Sequence, residues 1–158
     1  MLGPARSSVF LTPVRGVLAA ATYPEANALS RTLTGRGLSK QTWNILDRIR
    51  DVDDALGEPP DPRLVEVHPE VSFRTLDARV AAGKKSATGA GQRIRALSTW
   101  IDVAEALAAL PAGPGLDDAL DALVAAWSAA RWAQGIAREL PTVRSELDAR
   151  GRPMLIAA

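Results

Sequence analysis

GLDDALDALVAAWSAARWAQGIAREL, residues Gly115 to Leu140, is the stretch from which the rest of the chain is best read. Its apolar residues Leu116, Leu120, Leu123, Val124 and Trp127 recur at steps of three and four, the spacing of one face of an α-helix. Asp117, Asp118 and Asp121 crowd its first turns, where the positive end of the helix dipole favours carboxylates. Asp118 and Asp121 stand three apart, so both side chains leave the helix on one side. These residues admit two readings. One is capping and dipole complementation at a helix start. The other is a pair of metal ligands aimed at a site beside that start.

Working outward, Pro111 to Gly115 is a turn, preceded by helices over about Val103 to Leu110 and about Gln92 to Ile101. Gly83-Lys84-Lys85-Ser86-Ala87-Thr88-Gly89 reads as a basic, flexible loop. Leu64-Val65-Glu66-Val67-His68 is the best strand in the chain, with Glu66 and His68 sharing one face. Pro69 ends it, and Glu70 to Leu76 turns back into a helix. Gly57-Glu58-Pro59-Pro60-Asp61-Pro62 is a break. Before it, Ser39 caps a helix from about Lys40 to Leu56 whose core face is Trp43, Ile45, Leu46, Ile49 and Val52. Thr22-Tyr23-Pro24 starts a helix ending near Gly35 and Gly37, and Thr12-Pro13 starts a shorter one through about Ala20. Met1 to Leu11 is an irregular or extended lead-in, and Met154 to Ala157 is a short terminal strand. Two short strands among about seven helices do not make a sheet that stands alone.

Composition narrows the chemistry. With 158 residues, the chain is most simply a single domain, 1–158. Its hydrophobic fraction of 47% and charged fraction of 23% are those of a soluble globular protein. The net charge of +1 announces no global field for nucleic acid, although a local basic groove is compatible with it. No cysteine is present, which excludes disulfides, thiol catalysis and thiolate-bound zinc. One histidine excludes a multi-histidine metal site, so a metal here would be a hard, oxygen-seeking ion such as Mg²⁺ or Mn²⁺. No apolar run approaches the ~20 residues that cross a bilayer. The first residues lack signal-peptide organisation, giving the expectation of a cytoplasmic chain with no membrane partner. The excess of alanine, and of arginine over lysine, suggests a GC-rich bacterial source.

The runs RSSVFLTP, LTGRGLSKQTWNILDRIRDVD, VEVHPEVSF and DDALDALVAAW, in that order, resemble a family of uncharacterised prokaryotic proteins predicted to be ribonuclease-H-like nucleases. The resemblance runs from Arg6 to the terminal GRPMLIA. The block Asp118 to Leu123 also resembles the helix of Holliday-junction resolvases that supplies two metal-binding aspartates. The resemblance implies an α/β, ribonuclease-H-like fold, helix-rich with few strands. It places Glu66 on a central strand as one ligand of Mg²⁺ or Mn²⁺, with Asp118 and Asp121 as the others. In such enzymes two ions activate a water and stabilise the leaving oxygen of a phosphodiester. Members of the family usually begin with a strand ending in an acidic residue, then a second strand carrying an Asp-x-Pro block. Neither is present in this sequence, so the expected fold is incomplete at the N-terminus and its nuclease activity impaired.

Around that implied centre, Glu66 reads either as a ligand or as a solvent-facing edge residue. His68 is an auxiliary candidate for a phosphate or a metal-bound water, and a packing histidine otherwise. Lys84, Lys85, Arg93 and Arg95 are candidate phosphate contacts, with a solvated loop and helix face as the alternative. Arg48, Arg50, Asp51, Asp53 and Asp54 read as a salt-bridged surface. The tryptophans Trp43, Trp100, Trp127 and Trp132 read as core. The expected partners are DNA or RNA, and a second copy of the chain through an exposed sheet edge. The reading from another class is a non-catalytic remnant or binding module in which the acids are idle.

Overall fold

The computed structural model describes residues 12–142 and 146–158; the lead-in expected over Met1 to Leu11 lies outside the described residues. The described residues fall into two compact units. One runs Val65–Asp148 with Pro153–Ala158, and the other holds residues 12–64 with Ala149–Arg152. Among the described residues the architecture is helix-rich, with seven α-helices and two short strands.

In the unit of residues 12–64 and Ala149–Arg152, a 3-10 turn at Arg15–Ala19 leads into α1, Tyr23–Thr34. The Thr22 hydroxyl accepts from the Glu25 N–H, proline stands in the first turn, and Gly35 closes α1 at φ 72°, as the sequence suggests. The first turn departs from expectation. It starts after Val14 with no side-chain cap, so Thr12 does not open an α-helix there. The stretch Lys40 to Leu56 is two helices, α2 at Lys40–Asn44 and α3 at Leu46–Ala55, parted at Ile45. That break resets the helical phase. Leu46 is buried, and Trp43 and Ile49 pack beside it, but Ile45 and Val52 are exposed rather than in the core. The apolar centre is Val17, Ala20, Ala26, Leu38 and Leu46.

In this unit Asp53 gathers more charge than a surface network would. Arg15 and Arg152 both hydrogen-bond its Oδ1, Arg152 at 2.6 Å, and Arg150 lies 3.4 Å from Oδ2. Arg15 donates the largest stabilisation of the charged form, Arg152 adds to it, and the carboxyl is held below its usual range. Arg152 also donates to the Gly57 carbonyl, tying residues 149–152 to the end of α3.

The other unit is built on α7, Leu116–Ala133. Leu120, Val124 and Trp127 point into a core completed by Phe73 of α4 (Pro69–Leu76), Leu97 of α5 (Ala87–Leu97), Val80 and Val103. Each large side chain buried this way stabilises by about 1.5–3 kcal/mol. Between α4 and α7 a buried Ser128 hydroxyl donates to Ser72 at 2.8 Å, a polar contact that fixes how the two helices slide. Gly135, at φ 69°, follows the end of α7, and Arg131 lies 4.8 Å over the Trp127 ring while donating to the Ile136 carbonyl. The helix is therefore shorter than Gly115 to Leu140, and Glu139–Leu140 is strand β1 instead. Helix α5 begins at Ala87 because Ser86 caps it, earlier than Gln92, and α6 is Val103–Ala108.

Strand β2, Ile156–Ala157, pairs antiparallel with β1. Val67 makes one isolated parallel bridge to Ala157, and the Glu66 carbonyl accepts the Ala157 N–H at 2.8 Å. Among the described residues, the run Leu64 to His68 is thus extended chain with a single bridge. Turns at Pro62 and Arg63 leave little length for it, and His68 already opens α4.

Candidate functional site

Helix α7 begins at Leu116 with Gly115 before it, and Gly115 offers no side chain to cap the free N–H groups. Asp117 and Asp118 lie in that first turn and complement the dipole. Asp117 and Asp121, four apart, share a face, and that face receives Lys84. The Lys84 ammonium donates to Asp121 Oδ2 at 2.8 Å and lies 3.7 Å from Asp117 Oδ2. The hydrogen bond to Asp121 is the largest influence holding the Lys84 pKa above its usual value; burial opposes it, and Asp117 and Asp118 add to it. Among the described residues, Asp121 Oδ1 is buried with no hydrogen-bond partner. Asp118 is exposed one position along.

The loop before α5 holds Lys84 in place from both sides. Gln92 Oε1 accepts from the backbone N–H groups of Ala81 and Ala82, at 3.1 and 2.9 Å. Arg93 Nη1 donates to the carbonyls of Ala82 and Gly89, both at 3.0 Å. Ser86 donates to the Gly83 carbonyl and accepts from the Gly89 N–H. Gly89 lies so close to Gly83 that a Cβ there would meet the Gly83 oxygen at 2.0 Å. The segment Gly83 to Gly89 is consequently a fastened strap, not the flexible loop its glycines suggest.

The other expected residues are distributed around this loop and helix. Arg93 is 2% exposed, donates to Glu70 at 2.6 Å, and stacks 5.3 Å from the Phe73 ring. Its guanidinium is spent on the interior, away from any surface phosphate. Glu70 stands in the first turn of α4 and holds Arg93. Lys85 and Arg95 are exposed. Glu66 is exposed as a side chain, yet protein around its carboxyl end raises its pKa, with His68 pulling the other way. His68 is half-buried, and its Nδ1 has no hydrogen-bond partner among the described residues. Of the tryptophans, Trp127 is core, Trp43 packs at the edge of the other unit's core, and Trp100 is 41% exposed.

Lys84 and Asp121 are 37 residues apart, and nothing in the sequence announces their pairing. Asp117 was legible only as a dipole partner, although its spacing from Asp121 also allows a shared face. Among the described residues, no group of three or more carboxylates and histidines is arranged to hold a metal ion. No described helix is long and apolar enough to cross a membrane.

The chain is therefore a helix-rich protein in which an acidic helix start closes on a strapped lysine. It belongs to the family described as protein of unknown function DUF429, whose family model matches residues 1–146. No curated protein and no solved structure matches it.

Proposed function

We propose that this chain is a metal-dependent nuclease of ribonuclease-H-like fold, hydrolysing phosphodiester bonds of DNA or RNA in the bacterial cytoplasm. The observation that carries the reading is the convergence of Asp117 and Asp121 on one cationic nitrogen, with Asp121 Oδ1 buried beside it and unpartnered among the described residues. Carboxylate oxygens gathered at one point are what a hard cation takes. This donor set, two carboxylates, is short of what one Mg²⁺ or Mn²⁺ takes. Nor does it extend to a second ion, because no third acid or histidine joins the group among the described residues. Asp121 and Asp117 would offer the ion these oxygens, and the resemblance implies Glu66 and Asp118 as ligands, which among the described residues do not form one group with them. When bound, such an ion polarises a water and neutralises charge on the phosphodiester. Exposed Lys85 and Arg95 would position the phosphate backbone without reading its sequence.

The test is cleavage of structured and single-stranded DNA and RNA, with Mn²⁺ or Mg²⁺, by the wild-type chain and by Asp121→Asn. Cleavage that requires the divalent ion and drops at least a hundredfold in Asp121→Asn is the expected result. Undiminished cleavage by Asp121→Asn removes the site. A second reading, a binding module with idle acids, draws on the internal neutralisation of Asp121 by Lys84. It is favoured if nucleic acid is bound and left intact under every condition.

A further inference from the structure

We infer that Trp100, just past the end of α5, is a stacking platform for an unpaired nucleobase, and that the depression beside it selects bases bearing an exocyclic amino group. The inference rests on the reading of the chain as one that acts on nucleic acid, and it names the substrate's form as single-stranded. Trp100 is 41% exposed. Two other tryptophan rings are occupied: Arg131 lies over Trp127, and Tyr23 meets Trp43 edge-on. Among the described residues no ring or cation lies against Trp100. The backbone beneath it is pinned, since the N–H groups of Trp100 and Ile101 both donate to the Leu97 carbonyl and that of Thr99 donates to Ala96. A platform fixed before binding loses little freedom on binding.

Trp100 borders a depression of about 590 Å³. Its apolar side is Ile94, Ile101 and Val103, which belong to the core of this unit or pack against it. Its polar side offers acceptors. The Ser98 and Thr99 hydroxyls donate to the carbonyls of Ile94 and Ala96, at 2.9 and 2.7 Å, so they turn only lone pairs outward. Asp102 adds an exposed carboxylate, one oxygen of which accepts the Glu105 N–H. A rim of acceptors takes a ligand that brings donors. Cytosine and adenine bring an exocyclic amino group, and thymine does not. Indole and carboxylate alone would also suit an organic cation. Arg95 argues against that occupant, because it stands three residues before Ser98, leaves α5 on the same side and is exposed. The nearby Asp77 is already paired with Arg79 through both carboxylate oxygens. A positive charge thus remains beside the acceptor rim, and a nucleotide answers both with its phosphate and its base. The depression is open, so a strand can pass through it, whereas a pocket for a small free ligand encloses most of its occupant.

The experiment measures binding of labelled oligo-dC, oligo-dA, oligo-dT and a blunt duplex to the full chain by anisotropy, in EDTA so that nothing is cleaved. Thermal melts of the same samples check folding. Wild type should bind oligo-dC and oligo-dA at least fivefold more tightly than oligo-dT or the duplex. Trp100→Ala should weaken oligo-dC binding at least tenfold, and Trp100→Phe should restore most of it. Asp102→Asn, which keeps a helix-capping side chain, should bring oligo-dT within about twofold of oligo-dC. Arg95→Gln should weaken every single strand alike. A folded Trp100→Ala that binds oligo-dC as wild type does overturns the platform. So does a wild type that binds no single strand, or one whose Trp100-dependent ligand is a lysine-rich peptide instead. The nuclease reading is judged separately, by metal-dependent cleavage and its loss in Asp121→Asn, and survives any of these outcomes if that cleavage is seen.

Discussion

Gly89 and Gly91 both lie inside α5, where a glycine costs about 1 kcal/mol relative to alanine. Their surroundings differ. A Cβ at Gly91 meets nothing within 4 Å, whereas one at Gly89 falls 2.0 Å from the Gly83 oxygen and 2.7 Å from its carbon. Gly91→Ala should stabilise the chain by about 0.5–1 kcal/mol, since it removes only unfolded-state freedom. Gly89→Ala should destabilise it by about 1–3 kcal/mol, because backbone and not a yielding side chain stands in the way. Urea midpoints of the two variants decide the matter, and equal shifts of the same sign would show that the strap is not fastened as described. Neither requirement was visible in the sequence, where Gly83 and Gly89 together signal a loop. Arg93 was misplaced for a related reason: a basic residue near a basic loop reads as surface until a half-buried glutamate and two carbonyls are found around it.

At the scale of elements, local signals served well where the chain satisfies its own backbone. Thr22, Ser39 and the prolines Pro24 and Pro69 mark helix starts that the structure contains. Where an element depends on distant partners, the sequence was weaker. The run Leu64 to His68 has strand composition but finds one bridge among the described residues, and the two-residue β1 was hidden inside an apparent helix tail. Helix α3 carries the other distant dependence, through Asp53. Its folded pKa is lowered from 3.8 by Arg15 first and Arg152 after it. A lowered carboxylate contributes stability above the unfolded value and loses it as pH falls through the folded one. Asp53→Asn should therefore be clearly less stable than wild type at pH 7, and the gap should close as pH drops below about 4. A gap that stays constant from pH 7 to pH 2.5 in denaturant titrations would mean that the carboxylate's charge is not what Arg15 and Arg152 hold.

For the whole molecule, a net charge of +1 and the burial of Arg93 limit how it meets a polyanion. With Lys84 paired to Asp121, Lys85 and Arg95 remain as the exposed members of the expected phosphate set. Two contacts correspond to a slope of about −2 in log K against log salt, at roughly 0.9 per phosphate. Anisotropy of a labelled duplex across salt should give that shallow dependence or none. A slope near −6 would require a basic surface other than this one.

The unit containing Asp53 is discontinuous along the chain: Arg152 reaches Asp53 across a separation of 99 residues. Closing a segment of that length costs about 4 kcal/mol in chain entropy before any contact within it repays the loss. The short-range pieces, the Thr22-capped helix and the turn that closes it, have no such delay. In kinetic terms the expected order is the helices early and the Arg152 fastening last, which folding and unfolding rates of Asp53→Asn would test. That ordering makes the Asp53 contact a determinant of how long the native unit survives rather than how fast it is reached.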